Sequence, residues 1–263
     1  YVLKEQEWLK EHQEQELKEI RSKDGLTLRA VYIPRENAKG TIICMHGYHS
    51  TNDIEFVPEV RFLWNLGYSI LLPWQRSHGK SEGRYITYGV KERHDLKRWI
   101  LYTNRHLAAK NKDIFLCGIS MGCATTLMAA GLDLPDNVKG IIADCGFTSP
   151  WDIIKHVAKE RFYLPPFPLM YMVDLISEVV AGFGLKEVSI PEIMKRNKIP
   201  VLFIHGDADD YVPMWMTIKN YEACAAKKEL YIVSGAGHAL AFSKDMEEGK
   251  RRIKNFINKY KTI

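Results

Sequence analysis

The chain has 263 residues, 46% hydrophobic and 26% charged, which is enough apolar material for one sizeable core and excludes a disordered or fibrous protein. Its net charge of +5 comes from 37 basic and 32 acidic residues interspersed with no sustained basic block, so a nucleic-acid partner is not expected. No apolar run approaches the length of a membrane span and no secretory h-region is present, so stable membrane insertion is not expected either.

Residues 1–21 read as a helical extension. Glu, Gln and Lys dominate it, with Trp8, Leu9, Leu17 and Ile20 as sparse apolar positions, which predicts a mostly exposed helix to about residue 21. Lys23-Asp24-Gly25 is a turn, and the alternation of Leu26, Leu28, Ala30 and Tyr32 with Thr27, Arg29 and Val31 predicts a half-buried strand pairing antiparallel at the start of a sheet. Residues 40–45 form a continuous apolar strand that ends in His46-Gly47-Tyr48-His49-Ser50. A helix over 54–66, a strand over 68–72 and a helix over 91–109 follow, the last with Glu92 and Asp95 read as solvent-face charges.

The next stretch organises the rest. An apolar strand over 114–117 breaks into Gly118-Ile119-Ser120-Met121-Gly122 and then into small, helix-compatible residues. Glycines on both sides of the serine suit a strained strand-to-helix turn that lifts its hydroxyl out of the sheet. Beyond it come a strand over 140–144, a strand over 200–205, a helix over 214–227, a strand over 230–233 and a closing helix over 244–260. Doubly buried strands alternating with helices predict a single α/β domain: a mostly parallel sheet with helices on both faces. In such sheets ligands bind outside the carboxyl ends of the strands, and His46, Ser120, Asp144, Asp209 and His238 all fall just past such ends.

Residues 147–197 interrupt the rhythm. Prolines and glycines divide them into short helical pieces, yet they are too apolar for a solvated loop, so they read as a small helical cap inserted over the active face. The plainer alternative is a helical crossover with a long loop. The five cysteines show no C-x-x-C spacing and read as buried free thiols, so no zinc or other metal and no cofactor is expected. Free thiols suit a reducing compartment, which points to the cytoplasm. Because the chain starts at Tyr1, a membrane anchor ahead of it is the alternative. The oligomeric state is not fixed by the sequence.

A serine hydroxyl needs a base to take its proton and a carboxylate to hold that base. The sequence supplies both, in the order Ser, Asp, His: Asp207, Asp209 and Asp210 follow the strand over 200–205, and His238 follows the strand over 230–233. This chain order is that of the α/β-hydrolases. The whole chain after about residue 20 resembles that superfamily. Within it, His46-Gly47-Tyr48, Arg76-Ser77-His78-Gly79-Lys80-Ser81-Glu82-Gly83 and Asp144-Cys145-Gly146-Phe147-Thr148-Ser149 resemble bacterial serine hydrolases of the serine-aminopeptidase-like and prolyl-oligopeptidase-like type. The chain departs from the pattern at Trp74, where the family usually has Asp, and at Ser77, where it usually has Gly.

The resemblance implies Ser120 as nucleophile, His238 as general base and later acid, and Asp209 as the supporting carboxylate, with Asp210 as fallback. It also implies an oxyanion hole made by the backbone N–H groups of Tyr48 and Met121. His46 is expected to buttress its loop, and His205 to be structural. Tyr48, with Phe167, Met170 and Tyr171 of the cap, is expected to line a largely apolar substrate pocket. The expected activity is hydrolysis of a small-molecule carboxylic ester through an acyl-enzyme. A peptidase or aminopeptidase is the alternative, with Asp174, Glu178 and Glu187 as candidate amine partners. An acyltransferase and a non-enzymatic binding protein on the same fold are the others.

Overall fold

The computed structural model describes residues 2–13, 17–107 and 112–262. In chain order the elements are α1 (Val2–Gln13), β1 (Leu17–Arg21), β2 (Thr27–Ile33), β3 (Gly40–Met45), α2 (Asn52–Glu55), α3 (Val57–Asn65), β4 (Ser69–Pro73) and α4 (Glu92–Tyr102). Then come β5 (Asp113–Ile119), α5 (Met121–Ala129), β6 (Val138–Asp144), α6 (Pro150–Phe162), α7 (Leu169–Ile176) and α8 (Ile190–Met194). The chain closes with β7 (Val201–Gly206), α9 (Met214–Ala223), β8 (Lys228–Val233), α10 (Ala241–Lys244) and α11 (Met246–Tyr260). Single π turns extend α4 over Thr103–Leu107 and α7 over Ser177–Ala181.

The strands make one eight-stranded sheet in the order β1-β2-β4-β3-β5-β6-β7-β8. β1 and β2, and β2 and β4, pair antiparallel, and every other pair is parallel. This is the α/β-hydrolase arrangement the sequence predicted. The chain leaves β3 toward β4 on one side and returns as β5 on the other. The carboxyl ends of β3 and β5 therefore flank a topological switch point, where an open α/β sheet leaves a crevice. His46-Gly47 and Ser120 are the first residues beyond those two ends.

β3, β4 and β5 are buried at every position, as a sheet covered on both faces requires. One core layer gathers Trp99, Leu116 and Leu127; the other gathers Phe56, Tyr68, Phe115 and Phe256. Among the described residues no helix is long and apolar enough to cross a membrane.

Three local expectations are corrected. The predicted N-terminal helix ends at Gln13, and residues 17–21 form the edge strand β1, paired Leu17 to Val31 and Arg21 to Thr27. Their charged composition favours helix in isolation, but it also suits an edge strand that must not recruit another chain. Second, the helix expected over 54–66 is broken at Phe56 into α2 and α3. Third, Glu92 and Asp95 are buried, not solvent-facing. Glu92 accepts hydrogen bonds from the Thr87 and Gly89 N–H groups and the Thr87 hydroxyl, tying the preceding loop to α4. Asp95 forms a two-pronged bond with Arg76 (2.7 and 2.8 Å), whose other edge binds Asp24. Buried carboxylates are tolerated here because each is fully engaged.

Candidate active site

Ser120 sits between β5 and α5 with φ 54°, ψ −117°, a left-handed conformation costly for a residue with a side chain. It is held because both neighbouring glycines are packed against backbone. A Cβ on Gly118 would collide with the carbonyl of Gly122, and one on Gly122 with the carbonyl of Met45. The Ser120 N–H donates to Asp144 O (2.9 Å) and its carbonyl accepts from Ala124 N (3.0 Å), so the turn is pinned to β6 on one side and opens α5 on the other.

The loops after β7 and β8 bring the other two groups to this turn. His238 Nε2 lies 2.9 Å from Ser120 Oγ, and His238 Nδ1 lies 2.7 Å from Asp209 Oδ2. Asp209 Oδ1 accepts from the N–H groups of Tyr211 and Val212, both at 2.9 Å, and Oδ2 also lies 3.3 Å from His205 Nε2. Burial alone would raise the Asp209 pKa, but hydrogen bonds from His205 and His238, with the Val212 amide, outweigh it and hold the carboxyl well below the usual carboxylate range. Asp209 is thus a buried, ionised acceptor facing His238.

The adjacent aspartates do other work. Asp207 accepts from Gly235 N at 2.6 Å and joins the two loops; Asp210 is exposed and lies 3.5 Å from Arg161. His205 is fully buried, between Thr217 Oγ1 and the Val212 carbonyl.

A buried network ties the loop after β3 to the start of α5. His46 Nε2 accepts from Gln75 N (3.0 Å), which leaves the ring proton on Nδ1 to donate to Gly47 O (2.8 Å). Fixing that carbonyl fixes the peptide plane whose other end is the Tyr48 N–H. Gln75 donates from Nε2 to the His46 carbonyl and accepts on Oε1 from the Thr125 hydroxyl, which also faces Met121 O at 2.9 Å. On the other side Glu55 Oε2 accepts from Gly47 N at 2.7 Å. Burial raises the Glu55 pKa, opposed by hydrogen bonds from Ser50 and Gly47. Gly47 lies against the nucleophile: a Cβ there would stand 3.3 Å from Ser120 Cβ. Met121 is the first residue of α5, so its N–H has no acceptor within the helix.

Two cavities of about 520 and 510 Å³ lie beside α6 and α7 and reach the loop after β3 at Tyr48; Ser120, Met121 and His238 line neither. Met170 lines the first and Tyr48 lines both. Phe167 and Tyr171, expected as pocket residues, line neither. Phe167 is 76% exposed and stacks edge-on against Tyr171, which rests on Trp151 beneath Lys186. Both therefore sit on the outer side of the 147–197 segment. Of that segment, α8 packs into the body against α5 and α9. Asp174, Glu178 and Glu187 also line neither cavity, and no carboxylate is among the lining residues.

Cys145 Sγ, Asp209 and His238 place ligand atoms within 4.8 Å of one another, the kind of cluster that can hold a metal. Burial pushes the Cys145 thiol well above its ordinary range, however, and Asp209 and His238 are already bonded to each other, so the set is a poor match for a cation. All five cysteines are free and buried.

Sequence reasoning missed Gln75, Thr125, Glu55, Tyr88 and Tyr211. Only Gln75 carried a signal, as a polar residue just past a buried strand; the others depend on contacts across the fold.

A model of the prolyl oligopeptidase family matches residues 81–262. The uncharacterized protein YqkD of Bacillus subtilis is 28% identical over 91% of this chain and 78% of its own length. YfhR of Escherichia coli K12 is 26% identical over 86% and 74%. Among solved structures, the esterase Pf2001 of Pyrococcus furiosus superimposes with a TM-score of 0.76 at 27% identity, covering 93% of this chain and 92% of that one.

Proposed function

This chain belongs to the prolyl oligopeptidase family, and we propose that it is a serine hydrolase acting on carboxylic esters through an acyl-enzyme. The observation that carries the reading is the continuous run of contacts from Ser120 Oγ through His238 to Asp209, at 2.9 and 2.7 Å. In this reading His238 takes the Ser120 proton as Oγ attacks the ester carbonyl, and the ionised Asp209 stabilises the imidazolium that forms. The Tyr48 and Met121 amides hold the oxyanion. His238 then protonates the leaving alcohol, and the same ring activates the water that releases the acid.

An ester is favoured over an aminopeptidase substrate by the lining of the two cavities. Capture of a free amine calls for a carboxylate, and none lines them. The likeness to an esterase supports the same choice. The test is reaction with a fluorophosphonate probe together with hydrolysis of p-nitrophenyl esters, in wild type and Ser120→Ala. Wild type is expected to label at Ser120 and to turn over ester, and the variant to do neither while keeping its melting temperature. Labelling at another residue, or aminoacyl-anilides cleaved faster than esters, would overturn the reading.

A further inference from the structure

The two cavities share four lining residues: Tyr48, Tyr88, Ile154 and Val173. They therefore meet at one waist. Its floor is the stacked pair Tyr48 and Tyr88, with ring centroids 5.3 Å apart and planes 15° apart; its roof is one residue each from α6 and α7. Tyr48 follows directly on Gly47, which lies against Ser120, so the waist is tied to the nucleophile through one peptide, although Ser120 itself lines neither chamber. Each chamber alone falls within the volume range that holds a drug-sized ligand.

The chambers differ in chemistry and in their relation to the triad. The first is walled mostly by apolar residues of α6 and α7, with Arg161 over the ring of Tyr211, and Tyr211 belongs to it alone. The Tyr211 ring packs on the His238 imidazole, centroids 5.0 Å apart. The second chamber is bounded by the π turn after α7 and does not include Tyr211; its lining is apolar at Ile176, Val180 and Phe183 and polar at Ser77, Arg84 and Tyr85.

Resting on the serine-esterase reading, we infer that the preferred substrate is an ester with bulk on both sides of the scissile bond. Its alcohol arm lies in the Tyr211 chamber and its acyl arm in the Phe183 chamber. The orientation follows from proton delivery: the leaving oxygen must face His238, and the chamber on that side is the one Tyr211 lines. The acyl carbon stays on Ser120 after the alcohol leaves, so its arm takes the chamber across the Tyr48 waist. The acyl arm is a medium-length or aryl-substituted apolar chain, and the polar rim accommodates a hydrogen-bonding group at its far end.

The test is a matrix of esters in which the alcohol grows from methyl to phenethyl and the acyl group from acetyl to octanoyl, with kcat/KM measured for each pair. Wild type is expected to favour the doubly extended ester over either singly extended one by tenfold or more, the scale of one well-filled pocket contact. Ala158→Leu narrows the first chamber and Ala181→Leu the second. Ala158→Leu is expected to shift the ratio of kcat/KM between the two series by tenfold against large alcohols, and Ala181→Leu by tenfold against large acyl groups. Labelling of Ser120 by a small fluorophosphonate, run in parallel, separates this inference from the reading beneath it. Labelling at Ser120 with a gain from one arm only, or with both variants penalising the same series, overturns the two-arm site while the serine hydrolase stands. Shifts exchanged between the series overturn the orientation. Absence of labelling at Ser120 overturns both. Should either variant fail to fold, Ala158→Val or Ala181→Val takes its place, and the same shift in the ratio decides the orientation.

Discussion

Gly122 leaves no room for a side chain beneath the carbonyl of Met45, so α5 begins in direct contact with the end of β3. That contact sets the distance between the two amides proposed to hold the oxyanion, since Met121 opens α5 and Tyr48 follows β3 by three residues. Gly122→Ala should therefore lower kcat by 10²–10³-fold, about the cost of losing one oxyanion donor. It should also destabilise the fold by about 1–3 kcal/mol through overpacking. Helix propensity alone predicts the opposite sign, a gain of up to about 1 kcal/mol. Kinetics with urea unfolding of the same sample distinguishes the two, and a stabilised, active variant would contradict the packing argument.

The three aspartates after β7 provide a second test. Asp209→Asn should reduce kcat by about 10⁴-fold, because an amide at that position favours the wrong imidazole tautomer. Asp210→Asn should change it less than tenfold, since that side chain is exposed and lies against Arg161. Asp207→Asn should act through stability, by loosening the bond to Gly235 N. Turnover compared at matched folded fraction checks all three; a severe Asp210→Asn defect would refute the assignment.

Gln75 is a positioning residue in the same scheme. Gln75→Met keeps the volume but removes the side-chain bonds to the His46 carbonyl and the Thr125 hydroxyl. The expected result is a fall in kcat of tenfold or more with KM changed by less than threefold, the pattern of an interaction made in the transition state. An equal loss in KM would mean that Gln75 shapes substrate binding instead.

Asp144, at the end of β6, gives a pH prediction. Its side chain is buried, and Oδ1 has no hydrogen-bond partner among the described residues. Burial raises its pKa from 3.8 to about 6, against the attraction of His205 and His238 and with the repulsion of Asp209 and Glu55. An acid with a raised folded-state pKa binds its proton more tightly when folded. Its contribution is therefore most favourable below pH 3.8, declines between there and about 6, and is fully lost above. Asp144→Asn should then stabilise the protein by on the order of 2–3 kcal/mol at pH 8 and by little near pH 4. Urea unfolding at the two pH values checks the sign. A larger gain at pH 4 would show that the carboxyl is stabilised, not penalised, by its surroundings.

The sequence by itself determined the sheet and the turn at its centre. Strands buried on both faces must be apolar at nearly every position, so β3, β4 and β5 announce themselves as uninterrupted runs, and the glycines around Ser120 mark a backbone that side chains cannot occupy. These are local constraints, written in consecutive residues. Ser120, Asp209 and His238 were legible in the same way, because each lies just past a strand, β5, β7 and β8 in turn.

Only the tertiary structure decided the rest, because it depends on what reaches a residue from far along the chain. Residues 17–21 form a strand because β2 offers an open edge, against their own helical composition. Glu92 and Asp95 are buried because Thr87, Gly89 and Arg76 arrive to bond them, which no periodicity records. Phe167 and Met170, three residues apart in one apolar run, differ in the same way. The fold buries Met170 in a cavity wall and leaves Phe167 outside, and the orientation of α7 against α6 and the sheet makes that choice.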